Sequence, residues 1–320
     1  MPMVSRSTYV PPFLFSNGHI QSIYPTLFRK VKSVSYTRER IDTPDGDFID
    51  IDWLKNGSGR LAILSHGLEG NTDRAYMHGM ARALSGQGWD ALAWNFRGCS
   101  GEMNRQLRFY HSGATEDLDA VVQHAIRTDR YDAIVMIGFS MGGNLTLKYI
   151  GERGEALPPP IQRAVAFSVP CDLKSSAIEM AKKTNQIYMK RFLRLLHEKV
   201  RAKMQQFPEK IDDENFETIR DFQGFDDRYT APLHGFEDAE DYWAKASCKS
   251  FLKNIRIPSL LVNAQNDPFL GKECFPYEAA AANSNFFLEV PRSGGHVGFI
   301  RFNSDGMYWS EKRAMEFIEL

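Results

Sequence analysis

From residue 60 onward, short unbroken apolar runs alternate with longer stretches in which apolar residues recur at helical spacing. The first pattern predicts strands covered on both faces, the second amphipathic helices. RLAILSHG (60–67) reads as a buried strand and RAYMHGMARALSGQG (74–88) as a helix ending at Gly86 or Gly88. DALAWNFRG (90–98) is a strand and loop, and ATEDLDAVVQHAIRT (114–128) a helix with acid in its first turn. DAIVMIG (132–138), MGGNLTLKYIGERG (141–154) and QRAVAFSVP (162–170) continue as strand, helix and strand. Residues 172–250 then read as helices without a strand. IRIPSLLVNAQND (255–267) resumes as a strand, PYEAAAAN as a helix, NFFLEVP (285–291) as a strand, and MYWSEKRAMEFIEL as a closing helix. Ahead of this, SVSYTRERI (33–41) and FIDIDWL (48–54) flank the turn residues TPDGD and predict a hairpin.

Strand–helix alternation predicts an α/β fold, a mostly parallel sheet with helices on both faces. The expectation is a single domain over 1–320. Residues 1–30, rich in Pro and aromatics, form an arm on the body. Residues 172–250 form a helical cap, or lid, over the carboxyl ends of the strands, where open α/β sheets bind ligands.

Composition removes several alternatives. A net charge of -1 over 320 residues gives no basic field for nucleic acid. Cys99, Cys171, Cys248 and Cys274 are far apart with no C-x-x-C pair, which argues against a zinc site or a disulfide framework and fits a reducing compartment. The first residues lack the apolar core of a signal peptide, and the apolar runs are too short to span a bilayer. A soluble, cytoplasmic chain is expected. The cap divides by charge: residues 182–203 hold eight Lys/Arg against Glu198 alone, and residues 209–241 twelve Asp/Glu against three Lys/Arg. Either the halves neutralise each other, or the basic helix contacts an anionic membrane surface. In the second case Phe192, Leu195, Leu196, Val200 and Met204 lie on one side of it.

Chemistry concentrates at GFSMG, a G-x-S-x-G pattern at Gly138, Ser140 and Gly142 between a strand and a helix. That context predicts a nucleophile elbow, a sharp turn presenting Ser140. The plainer reading is a serine that caps the helix. A nucleophile needs a base. His78, His124 and His197 fall inside predicted helices, whereas His296 follows the last strand in a loop of small residues, SGGHVGF. Asp267, in NAQNDP at another strand end, supplies a carboxylate to orient it; otherwise it is a turn residue before Pro268. The order Ser140, Asp267, His296 is that of α/β-hydrolases. The N–H of Met141 and an N–H in SHGLEGN, that of Leu68, are the expected oxyanion donors. His66 should set that loop; as a metal ligand it lacks a companion cluster.

These pieces resemble one family. SNGHIQSIYP, SHGLEGN, NFRGCSGE, YHSGATEDL, GFSMGGN, FDDRYTAPLHGF with DYWAKASC, NAQNDP and GGHVGF are similar, in order and over nearly the whole chain, to the YheT-like α/β-hydrolases, a group of candidate esterases and lipases. The resemblance implies an α/β-hydrolase fold with a helical lid and a serine esterase, needing no metal or cofactor, whose nucleophile, acid and base are Ser140, Asp267 and His296. Its substrate would be a small acyl ester or a lipid. An H-x-x-x-x-D motif described for some relatives is absent at His111, where HSGATE ends in Glu116. HAIRTD (124–129) fits it by letter, at a helix end. A catalytically silent binding protein, or a thioesterase, perhydrolase or acyltransferase using the same triad, remains the alternative. The sequence leaves oligomeric state open.

Overall fold

The apolar runs assemble into one eight-stranded sheet in the computed structural model, which describes residues 3–4, 6–32, 34–128 and 130–319. The strands are β1 (Thr37–Asp42), β2 (Phe48–Leu54), β3 (Arg60–Ser65), β4 (Asp90–Trp94), β5 (Ala133–Phe139), β6 (Ile161–Phe167), β7 (Ser259–Val262) and β8 (Phe286–Glu289). Their order is β1-β2-β4-β3-β5-β6-β7-β8. β2 pairs antiparallel with β1 and β4, and the other pairings are parallel. The apolar runs are unbroken because both sheet faces are covered: Leu61 and Ile63 of β3 enter one core, Ala62 and Leu64 the other.

The arm carries α1 (Gly18–Phe28). Then come α2 (Ala75–Gly86), α3 (Thr115–Arg127) and α4 (Met141–Arg153). Between β6 and β7 lie α5 (Leu173–Ala181), α6 (Gln186–Gln206), α7 (Phe222–Phe225), α8 (Ala231–His234) and α9 (Ala239–Ala246). α10 (Tyr277–Ala282) joins β7 to β8, and α11 (Trp309–Ile318) closes the chain. α2 and α11 share one core with the sheet; α3 and α4 share the other.

Two expectations change. Residues 1–30 are more than an arm, since they include the eleven-residue helix α1. Pro25 hides it in the sequence, yet the helix tolerates this proline near its end. Its start is well capped: Asn17 Oδ1 accepts from His19 N at 2.9 Å and Ile20 N at 3.2 Å. The second change concerns α6. Leu196 and Val200 are buried, and Phe192 and Met204 pack on the same core, so this apolar side faces the body and not a membrane. The basic run is also partly consumed. Lys199 and Lys203 are buried and donate to Gly98 O and Asn104 O, and Arg201 pairs with Asp213 at 3.0 Å.

Candidate active site

Adjacent parallel strands bring two loops together. Ser65 and Gly138 are register partners on β3 and β5, so SHGLEGN and GFSMG leave the sheet side by side. Ser140 has φ 52° and ψ -121°, a strained conformation for a residue with a side chain, costing about 1–3 kcal/mol. Its N–H donates to Phe167 O at 2.8 Å, and its hydroxyl makes no capping bond to α4, which removes the N-cap reading. The glycines give clearance. A Cβ at Gly138 would lie 2.6 Å from Gly143 Cα, and one at Gly142 would overlap the carbonyls of Ser65 and His66.

Both partners arrive from the far side of the sheet. Asp267 follows β7, His296 follows β8, and the structure brings them to Ser140. His296 Nε2 is 2.9 Å from Ser140 Oγ, and Nδ1 is 2.9 and 3.1 Å from the two oxygens of Asp267. With Nδ1–H donating to the carboxylate, Nε2 is left to accept from the serine hydroxyl. Asp267 is buried and also accepts from Phe269 N at 2.9 Å, so the turn role and the histidine contact coexist. The Phe269 ring stacks on the imidazole with centroids 4.1 Å apart.

The neighbouring loop is built around His66. Its Nδ1–H donates to Gly67 O at 2.8 Å and its Nε2 accepts from Phe96 N at 3.1 Å. Both nitrogens are occupied, which closes the metal-ligand reading, and burial lowers its pKa to about 3. Gly67 N donates to Tyr76 OH at 3.0 Å, and Gly70 N to Gly67 O at 2.9 Å. Among the described residues, neither Leu68 N–H nor Met141 N–H has a backbone acceptor, as oxyanion donors require.

Several supporting residues escaped the sequence reading. Glu69, with φ 51°, accepts from Tyr110 OH at 2.5 Å, and its own N–H donates to that hydroxyl at 3.1 Å. Lys199 of α6 lies 3.8 Å from its carboxylate, which links the insertion to the Leu68 loop. The arm holds the His296 loop: His296 N donates to Ser22 Oγ at 2.8 Å, while Asn266 accepts from Gly295 N and donates to Ser16 O. Gln21 of SNGHIQS is buried, donates to Phe15 O and accepts from Tyr9 OH, as a buried amide must; nothing in the sequence marks that burial. Asn144, closing GFSMGGN, accepts from Cys248 N and donates to Ala246 O and Ser112 O, pinning the end of the insertion.

Asp226, Asp227, Tyr229 and Tyr242 also brace the insertion. Asp226 accepts from Trp243 Nε1, Asp227 from Ala239 N, and Tyr242 OH from Ser112 N; Tyr229 OH donates to Asp212 O. His124 lies on α3, 3.1 Å from Glu39, and its H-x-x-x-x-D partner Asp129 is outside the described residues.

Two cavities meet at Ser140 and His296. One, of about 120 Å³, is largely apolar and runs under the insertion past Met141, Met180, Leu196 and Trp243. The other, of about 470 Å³, opens between α1 and α6 and carries Lys30, Arg74 and Arg191 on its walls.

Comparison with known proteins agrees with this architecture. The α/β hydrolase fold model matches residues 63–301. YheT of Escherichia coli (strain K12), a candidate esterase by name, is 34% identical, with 92% of this chain and 88% of that protein covered. The phospholipase ABHD3 of Mus musculus is 30% identical over 93% of this chain and 74% of that protein. Among solved structures, the Pyrococcus furiosus esterase PF2001 superposes with a TM-score of 0.62 at 19% identity, covering 96% of this chain and 97% of that one, a likeness of fold alone. The chain belongs to the α/β-hydrolase fold family, in the branch that contains YheT.

Proposed function

We propose that this enzyme is a carboxylic ester hydrolase working through Ser140, His296 and Asp267. One observation carries the reading: an unbroken hydrogen-bond chain from a strained serine through a histidine to a buried carboxylate. Ser140 Oγ attacks the acyl carbonyl as His296 Nε2 takes its proton, and Asp267 stabilises the imidazolium. The carbonyl oxygen, now an anion, is held by Leu68 N–H and Met141 N–H. His296 then protonates the departing alcohol. Water, deprotonated by the same nitrogen, cleaves the acyl-enzyme. The apolar cavity suits the acyl chain, and the larger cleft, with Lys30, Arg74 and Arg191 on its walls, suits the alcohol. The esterase and phospholipase names of the relatives support acyl esters or acylglycerol-type lipids as substrates. Residues 172–250 act as a lid over both cavities. On p-nitrophenyl esters of short to long acyl chain, Ser140→Ala should lower turnover by about 10⁶-fold; a variant as active as the parent would end this reading.

A specific observation also favours contact with a lipid surface. Phe13 is 91% exposed, and Leu14, Leu27 and Phe28 of the arm are exposed as well. Leu27 and Phe28 end α1, which lines the larger cleft through Ser22, Pro25 and Thr26, and Lys190, Arg191 and Arg194 of α6 are exposed as well. No helix among the described residues is long and apolar enough to cross a membrane. Binding to anionic vesicles, weakened by Phe13→Ser with Phe28→Ser, is expected; no binding to anionic or neutral vesicles would refute it.

A further inference from the structure

The larger cleft holds more positive charge than its own acids use. Arg29 is spent, since its guanidinium pairs with Glu311 at 2.5 Å and lies 3.7 Å over the Tyr308 ring. Glu69 is turned toward Tyr110 and Lys199. Asp73, exposed at the rim, is 3.5 Å from His78. Lys30, Arg74 and Arg191 remain, and none is in an ion pair among the described residues. Arg74 gives one N–H to Glu69 O at 2.8 Å and keeps its other donors. Arg191 comes from the opposite wall; its side chain is exposed, and partial desolvation together with the neighbouring Arg74 charge lowers its pKa. α2 also begins at this wall without a side-chain cap, so its free N–H groups add to the positive potential. Two guanidinium groups facing one space repel each other unless an anion lies between them, and the planar fork of each matches two oxygens of a phosphate.

We propose that the cleft binds a phosphate on the alcohol portion of the ester, held by Arg191 and Arg74 with Lys30 at the mouth. The assignment of this portion as an alcohol rests on the ester-hydrolase reading; the phosphate site itself does not need turnover. The acyl chain would then fill the apolar cavity, with the scissile carbonyl at Ser140.

The test separates the two. Calorimetry with the full chain compares the octyl ether of glycerol phosphate with the octyl ether of glycerol, neither of which has an ester to cleave. The phosphate ether should bind at least about tenfold tighter, one or two charge-assisted hydrogen bonds' worth. Arg191→Gln should remove most of that preference, and Arg191→Glu should reverse it. The kcat/KM ratio for octanoylglycerol phosphate over octanoylglycerol should fall in step. Glycerol phosphate and inorganic phosphate, which lack the chain, should bind much more weakly than the phosphate ether. Equal affinity for the two ethers, or a preference unchanged in Arg191→Gln and in Lys30→Gln with Arg191→Gln, overturns the proposal. So does tail-free phosphate binding as tightly as the ether, since the site would then hold a free anion. A preference for the phosphate ether without Ser140-dependent cleavage would keep the site and remove the hydrolase reading instead.

Discussion

Acid should loosen the Leu68 loop through His66. The ring is fully buried, with Nδ1–H on Gly67 O and Nε2 accepting from Phe96 N. A second proton on Nε2 would point at an N–H donor, so only the neutral ring fits. Its pKa is lowered from 6.5 to about 3, chiefly by burial. The unfolded chain therefore takes this proton near pH 6.5, and the native protein only near pH 3. Between those values the unfolded state binds more protons, so stability falls as pH falls, by about 1.36 kcal/mol per pH unit. The loss reaches roughly 2 kcal/mol at pH 5 and roughly 5 kcal/mol near pH 3, large against a typical total of about 5–15 kcal/mol. Above pH 6.5 the contribution is complete and constant. Urea unfolding at pH 7 and pH 5 should be compared for the parent and His66→Gln, whose amide oxygen can still accept from Phe96 N but does not titrate. The parent should lose about 2 kcal/mol more than the variant over this interval. His111 and His234, also held neutral by burial, titrate in both proteins and cancel in the difference. Equal losses in the two proteins would refute the reasoning.

Other perturbations probe the turn and the loops. Gly142→Ala drives a methyl into the Ser65 and His66 carbonyls and should lower stability by about 1–3 kcal/mol, read by thermal unfolding, with activity lost. Asp267→Asn leaves the turn but removes the charge behind His296; kcat should fall about 10⁴-fold with the melting temperature kept near that of the parent. Ser22→Ala leaves His296 N–H without its acceptor, and a loss of about 1–3 kcal/mol in stability together with a lower kcat is expected. Unchanged stability and kinetics would mean that the arm does not hold the base.

The features legible in the sequence are those written in local patterns. Strands buried on both faces show as unbroken apolar runs, and β3 through β6 fall where those runs are. Ser140 shows through its glycines, because crossing chains allow no Cβ at 138 or 142. Asp267 and His296 show through loops of small and polar residues at predicted strand ends. What stayed hidden depends on distant partners. The apolar stripe of α6 is the same string of letters whether it meets lipid or the body, and only the fold buries Leu196 and Val200. Glu69 reads as an ordinary loop acid until Lys199, far along the chain, comes within 3.8 Å. Helix α1 was masked by Pro25, and its part in holding the His296 loop requires the two chain ends to meet.

The proposed mechanism makes Ser140 a nucleophile activated by His296. It is tested most directly by intact-mass and peptide mapping after exposure to a fluorophosphonate probe. One adduct is expected, on Ser140, absent from folded Ser140→Ala and formed much more slowly in His296→Ala. A folded parent that stays unlabelled, or that carries the adduct elsewhere, would contradict it.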